Sequence, residues 1–211
     1  MTMDLVKQRD SDPFHPAIKA FEDQYISLRR TWLVFETLFM KTDNVKLLNQ
    51  ASAQTFHEIG ISMLEHLLLQ LSRLTDHPGA DYQKHLCLRR IRCDLISYLK
   101  ERDGESYRVK HGEFLEALQS LVDESGEIAK KLRLHRNESI AHLDWGRALG
   151  TRDKPLPSLA FGEIGSLIVL IGEIIHKVTN YLWKTGLQHE WDTYDQAVNL
   201  FNALKAYAND S

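Results

Sequence analysis

Phe14, Ile18, Phe21, Tyr25, Leu28, Trp32, Phe35 and Phe39 follow one another by alternating steps of four and three. An α-helix turns once in 3.6 residues, so these side chains share one face and shed water only if something packs against it. The run predicts an amphipathic helix of about seven turns that needs partners. The same spacing returns in Phe114, Leu118, Leu121, Ser125, Ile128, Leu132, His135, Ser139 and His142, and in Phe161, Ile164, Ile168, Ile171, Ile175, Val178 and Leu182. Residues 44–75 read as a helix with a broader apolar face through "SMLEHLLLQLSRL", which suits the middle of a bundle. A shorter helix runs from about Leu86 to Leu99, and Trp191, Tyr194, Val198 and Phe201 mark a last one.

Breaks fall between these stripes. "TDHPGADYQ" and "LDWGRALGTRDKPLPS" combine proline with glycine, and "ERDGES" separates the two central helices. Only five prolines and eleven glycines interrupt 211 residues that are 43% hydrophobic, enough for one sizeable core. The expected fold is all-α, an up-and-down bundle of five to six helices forming a single domain over residues 1–211, with residues 1–13 flexible. No apolar run reaches the length of a membrane span. "MTMDLVKQRDSD" lacks the apolar stretch of a secretory signal. Cys87 and Cys93 form neither a CxxC pair nor a metal-ligand pattern. These features predict a reduced, cytoplasmic chain with no membrane partner.

Several chemistries lack their sequence elements. A carboxylate-bridged metal bundle wants Glu-x-x-His on two helices; Glu173 to His176 alone fits, and there is no HExxH. There is no strand-turn-helix nucleophile element, no P-loop and no dinucleotide glycine pattern. Neither metal nor cofactor is expected.

A net charge of −3 disfavours a general nucleic-acid coat protein, but the charge is unevenly spread. Residues 84–110 hold eight Lys/Arg against four Asp/Glu, and residues 129–154 hold seven against three. Each window is therefore +4, leaving −11 elsewhere. Such clusters are commonly solvated faces, yet a polyanion would bind at these two windows.

The second window contains "RLHRNESIAHLDW", residues 133–145. Spacing between Arg136 and His142 discriminates little: Arg9 stands six residues before His15 as well, in a chain with thirteen arginines and ten histidines. Context separates the two. Arg136 is followed directly by Asn137, then by an aliphatic-small pair before His142, on a leucine-rich helix. These residue types suit metal-free RNA cleavage. Histidine, with a pKa near 6.5, can take the ribose 2′-hydroxyl proton or protonate the departing 5′-oxygen. A guanidinium stays charged and can grip two phosphate oxygens, and an amide can orient either partner. On a regular helix, however, six residues put Arg136 and His142 about 120° apart. Either the long arginine stem reaches around, or each His works with the Arg of a second copy. His135 and His142 also continue the apolar stripe, so burial as core histidines is the plain alternative.

"RNESIAH" resembles the signature of the HEPN superfamily, all-α ribonuclease and nucleotide-binding domains. "AHLD", "RLTD" at 73–76 and "HLCLRRI" at 85–91 narrow the likeness to the AbiU-type abortive-infection branch, over roughly Phe56 to Leu182. The resemblance implies an HEPN-like bundle and a phage-defence or toxin-antitoxin role. It also implies RNA cleavage leaving a 2′,3′-cyclic phosphate at a homodimer cleft, with an antitoxin as a candidate partner. His142 would be acid or base, Arg136 the phosphate clamp and Asn137 the positioning group. Trp145, Arg147, Arg152 and Lys154 offer a stacking face and phosphate contacts for single-stranded RNA, or simply an exposed loop at the bundle end. Arg73 and Asp76 read as a structural ion pair or cap. Glu138, one turn before His142, reads as a salt-bridge partner, and Asp144 belongs to the family element. The competing expectation is an inactive HEPN-like module that binds RNA, nucleotide or a protein partner without cutting.

Overall fold

A computed structural model describes residues 10–76, 85–137 and 158–184. The described residues are helical, with no strand among them: α1 His15–Phe39, α2 Thr42–Thr75, α3 Leu88–Asp103, a 3-10 turn Gly104–Ser106, α4 Tyr107–His135 and α5 Phe161–Trp183. They cluster as two compact units, one taking described residues 10–25, 71–76, 85–137 and 158–184, the other 26–70. The all-α expectation holds. A bundle of five to six helices does not, because the first unit brings together four long helical segments, 15–25, α3, α4 and α5, with the last turn of α2. The expected final helix around Trp191–Phe201 lies outside the described residues, as do residues 1–9.

In the first unit α3 and α4 run antiparallel. The start of α4 meets the end of α3 through His111 and Asp103, and Arg89, near the start of α3, lies beside Gly126 further along α4. The three-residue turn between them leaves no other choice of direction. α5 returns antiparallel to α4: Tyr181 stacks on Phe114 at a centroid distance of 3.7 Å, while Glu163 pairs with Lys131. Helix α5 buries Ile164, Leu167, Ile168, Ile171, Ile174, Ile175 and Val178, most of the expected stripe, while Phe161 at its start is exposed and Leu182 is half-buried. The buried line of α4 is rotated slightly from the expected one, running through Leu118, Val122, Ser125, Ala129 and Leu132. Small Ser125 and Ala129 let neighbours approach, and Phe114, Leu121 and Ile128 become half-buried flanks.

Gly172 sits inside α5, where glycine is ordinarily about 1 kcal/mol worse than alanine. Its use here is steric. A Cβ at this position would overlap the Tyr25 hydroxyl and stand 2.8 Å from Tyr25 Cζ, so the glycine lets α1 and α5 close together.

Polar ties secure one end of this unit. The Asp12 carboxylate accepts from Tyr98 (2.9 Å), Trp183 Nε1 (3.0 Å) and the Phe14 backbone N–H (2.8 Å), joining the chain before α1 to α3 and α5. Buried His111 faces Asp103 through Nε2 at 3.0 Å and the Tyr181 hydroxyl through Nδ1 at 2.5 Å. A proton on Nε2 satisfies the carboxylate and leaves Nδ1 to accept from the phenol. Lys110 and Arg102 also reach Asp103, each at 2.8 Å. Lys110, then Arg102 and His111, hold the Asp103 carboxyl far below the usual carboxylate range.

The second unit is a helical hairpin. Residues 26–39 of α1 and 42–70 of α2 join through Met40 and Lys41, across which Asn44 donates to the Thr37 carbonyl at 2.5 Å. Phe39 packs on Gly60, and Gln70 reaches Ser27 at 3.5 Å, so the two helices of the hairpin run antiparallel. Helix α2 is kinked at Ser52, whose backbone is extended (φ −170°, ψ 92°) and whose hydroxyl donates to Thr55 at 2.8 Å. Serine favours such a helix-start conformation, which explains a break that apolar spacing does not reveal. Among the described residues no helix is long and apolar enough to cross a membrane.

Two outcomes test these packing arguments. Gly172→Ala is expected to destabilise by about 1–3 kcal/mol through overlap with Tyr25, read from urea unfolding midpoints. Asp103→Asn is expected to lower stability near neutral pH. Because the folded carboxyl titrates far below its unfolded value of about 3.9, its contribution is complete above that value and is lost progressively as pH falls from there through the folded pKa. The gap between the thermal melts of the two proteins should therefore start to narrow below about pH 4 and close only at far lower pH.

Candidate functional site

The other end of α4 carries the Arg-Asn pair. From His111 to Arg136 is 25 residues of nearly continuous helix, about 37 Å at 1.5 Å per residue, so the His111 cluster and this end are separate places. Helix α4 ends at His135, and the winding widens to a π-type turn at Arg136 and Asn137. An i→i+5 turn takes up one residue more than an α turn. The 120° separation inferred for a regular helix concerns His142, which lies outside the described residues.

Three chain segments meet here. The last turn of α2 contributes Thr75 and Asp76, the segment before α3 contributes Cys87, and α4 contributes Arg133, Arg136 and Asn137. The Arg136 guanidinium donates through NH1 to Asp76 Oδ2 at 2.5 Å and through Nε to Asn137 Oδ1 at 3.0 Å. Arg133 donates to the Thr75 carbonyl at 3.3 Å, satisfying one of the orphan acceptors at the end of α2. Cys87 is fully buried at the start of α3; burial pushes its thiol up, and the Asp76 carboxylate adds to the rise. "RLTD", "HLCLRRI" and "RN", separate in the sequence, thus occupy one corner.

The pair is partly exposed, with side-chain accessibilities of 23% for Arg136 and 31% for Asp76. Solvent reaches both partners, so their attraction is weakened relative to a buried pair, and an anion from solution can reach them too. Lys131 pairs with Glu163, whose other oxygen accepts from the Ala160 backbone N–H at 2.9 Å. The start of α5 is thereby fastened beside the closing turns of α4. The Lys131 ammonium, then the Ala160 N–H, hold the Glu163 carboxyl below its ordinary range.

Asp76 does not serve Arg73, as the sequence suggests; it takes Arg136, sixty residues further on, while Arg73 is exposed on α2. Asn137 is exposed, and His135 is half-buried rather than sealed in the core. Glu138, His142, Asp144, Trp145, Arg147, Arg152 and Lys154 lie outside the described residues. In "LRRIR", Leu88 and Ile91 are core positions, Arg90 pairs with Asp94 at 2.6 Å, and Arg92 lines an open groove of about 800 Å³ between α3 and α4. Glu173 and His176 are both exposed on α5, and the described residues hold no group of three or more His, Cys, Asp or Glu able to share a metal. Sequence reading missed the Asp103–His111–Tyr181 cluster. Its members sit outside the apolar spacing and come from three helices, so no local signal announces it.

The Arg136–Asp76 interaction is measurable. A double-mutant cycle on Asp76→Asn and Arg136→Gln is expected to give a coupling of about 1 kcal/mol or less, in line with its exposure, and to shrink with added salt.

A family model described as AbiU2, of the HEPN group, matches residues 11–208. No curated protein and no solved structure matches the chain.

Proposed function

Because the chain belongs to the AbiU2 abortive-infection family of HEPN domains, we propose that it is a metal-independent endoribonuclease acting through Arg136, Asn137 and His142. The observation that carries the reading is the Arg136 guanidinium, partly exposed at the end of α4 and tethered to Asn137. A phosphodiester lying there meets a permanent positive charge on a rigid helix end, where Lys130, Lys131 and Arg133 precede it in the chain.

The proposed reaction needs no metal. One His142 takes the proton of the ribose 2′-hydroxyl, and the 2′-oxygen attacks phosphorus. A second His142 protonates the departing 5′-oxygen, leaving a 2′,3′-cyclic phosphate and a free 5′-hydroxyl. Arg136 neutralises charge growing on the non-bridging oxygens. The reaction needs a base and an acid at once, and in the proposed homodimer cleft the second copy of His142 fills the second role. Trp145, Arg147, Arg152 and Lys154 would stack on and grip single-stranded RNA beside the cut. In a phage-defence setting such an activity requires restraint, and an antitoxin protein is the proposed partner.

A second reading draws on the same contacts. Asp76 and Asn137 already satisfy part of the Arg136 guanidinium, as a structural arginine would be satisfied. On that reading the domain binds RNA, nucleotide or a protein partner without cutting.

Incubation of the purified protein with single-stranded RNA, with and without EDTA, separates the two. The nuclease reading expects cleavage that survives EDTA, ends in 2′,3′-cyclic phosphate, and falls by at least about a hundredfold in His142→Ala. Binding by wild type and His142→Ala alike, with no cleavage by either, supports the second reading. Cleavage abolished by EDTA would sink the metal-free mechanism.

A further inference from the structure

We propose that Asp76 is a positioning residue for Arg136, fixing the plane of its guanidinium while offsetting part of its charge. This inference rests on the nuclease reading above. It goes beyond it by giving a role to a carboxylate contributed by another helix.

The geometry is specific. Of the three guanidinium nitrogens, NH1 is held by Asp76 and Nε by Asn137. Two tethers from different parts of the chain define the plane of a rigid, flat group. Three of its five N–H donors remain, two of them on NH2, which becomes the edge offered to a phosphate oxygen. An untethered arginine would lose side-chain freedom when phosphate bound, whereas this one has lost it already on folding.

The electrostatics of Asp76 limit binding, and its gain in turnover comes from orientation alone. The Asp76 carboxylate offsets part of the positive charge that an RNA phosphate meets at Arg136. As negative charge accumulates on the non-bridging oxygens during attack, the oriented NH2 donors gain more than they did before reaction. Only such differential stabilisation speeds the chemical step. Asp76 therefore weakens RNA binding while aiding turnover, whereas a carboxylate that merely holds the fold would support both.

The test compares wild type, Asp76→Asn and Asp76→Glu. Cleavage of single-stranded RNA gives kcat and KM. RNA affinity at several salt concentrations is measured in a His142→Ala background, so that cutting does not interfere. Asp76→Asn should lower kcat by about tenfold or more through lost orientation. The same variant should bind RNA more tightly, with a salt dependence steeper by about 0.7 in log-log slope, the value for one additional phosphate contact on a single strand. Asp76→Glu keeps the charge, so its affinity and salt slope should match wild type and its kcat should recover part of the loss.

Thermal melts accompany each variant. Weaker binding and slower turnover together with early melting, equally in Asn and Glu, would assign Asp76 a structural role and overturn the proposal. Unchanged kcat and affinity in Asp76→Asn would overturn it while leaving the nuclease reading intact. A wild-type protein that does not cleave RNA would defeat the nuclease reading, and this inference with it.

Discussion

Burial of the α5 stripe is the constraint on which the first unit depends. Ile164, Leu167, Ile168, Ile171, Ile174, Ile175 and Val178 would otherwise face water along most of a 23-residue helix. Each buried aliphatic side chain contributes on the order of 1.5–3 kcal/mol relative to exposure, and an isolated helix supplies little to replace it. The stripe requires a partner face of matching length. Helix α4 provides one with small Ser125 and Ala129 in its buried line, and Gly172 opens the other side of α5 to Tyr25.

The polar chemistry follows from that packing because antiparallel helices sort their ends. One end of the unit gathers Asp12, Tyr98, Asp103, His111, Tyr181 and Trp183 into hydrogen-bonded ties. The opposite end of α4 carries Arg133 and Arg136, next to the close of α2 and the start of α3. The first end is satisfied by its own members, as a buried histidine and carboxylate require. The Arg136 end is partly open to solvent, and its charges remain within reach of an anion. Together with the Arg-Asn pair it carries, that access marks the Arg136 corner as the candidate site.

Element by element, apolar spacing anticipated helices where they occur. α1 and α5 match their expected spans to within a residue, since a long stripe with few competing signals leaves one periodic solution. Helices α3 and α4 are less well bounded by it: α3 continues to Asp103 and α4 begins at Tyr107, through residues that carry charge rather than apolar side chains. There the helix is sustained by polar contacts such as those of Asp103 with Lys110 and His111, which a search for apolar stripes passes over. The kink at Ser52 escaped for the same reason.

The sequence by itself determined the all-α class, the buried faces of α1 and α5, and the residue types able to handle phosphate at Arg136 and Asn137. Period and chemistry are local properties, readable within a few turns of chain. The tertiary structure decided which distant groups meet: that Asp76 serves Arg136 instead of Arg73, that His111 lies between Asp103 and Tyr181, and that Gly172 answers to Tyr25. Partners separated by 60, 70 and 147 positions are selected by how whole helices pack and in which direction they run. No short window of residues encodes that choice, because it belongs to the assembled core.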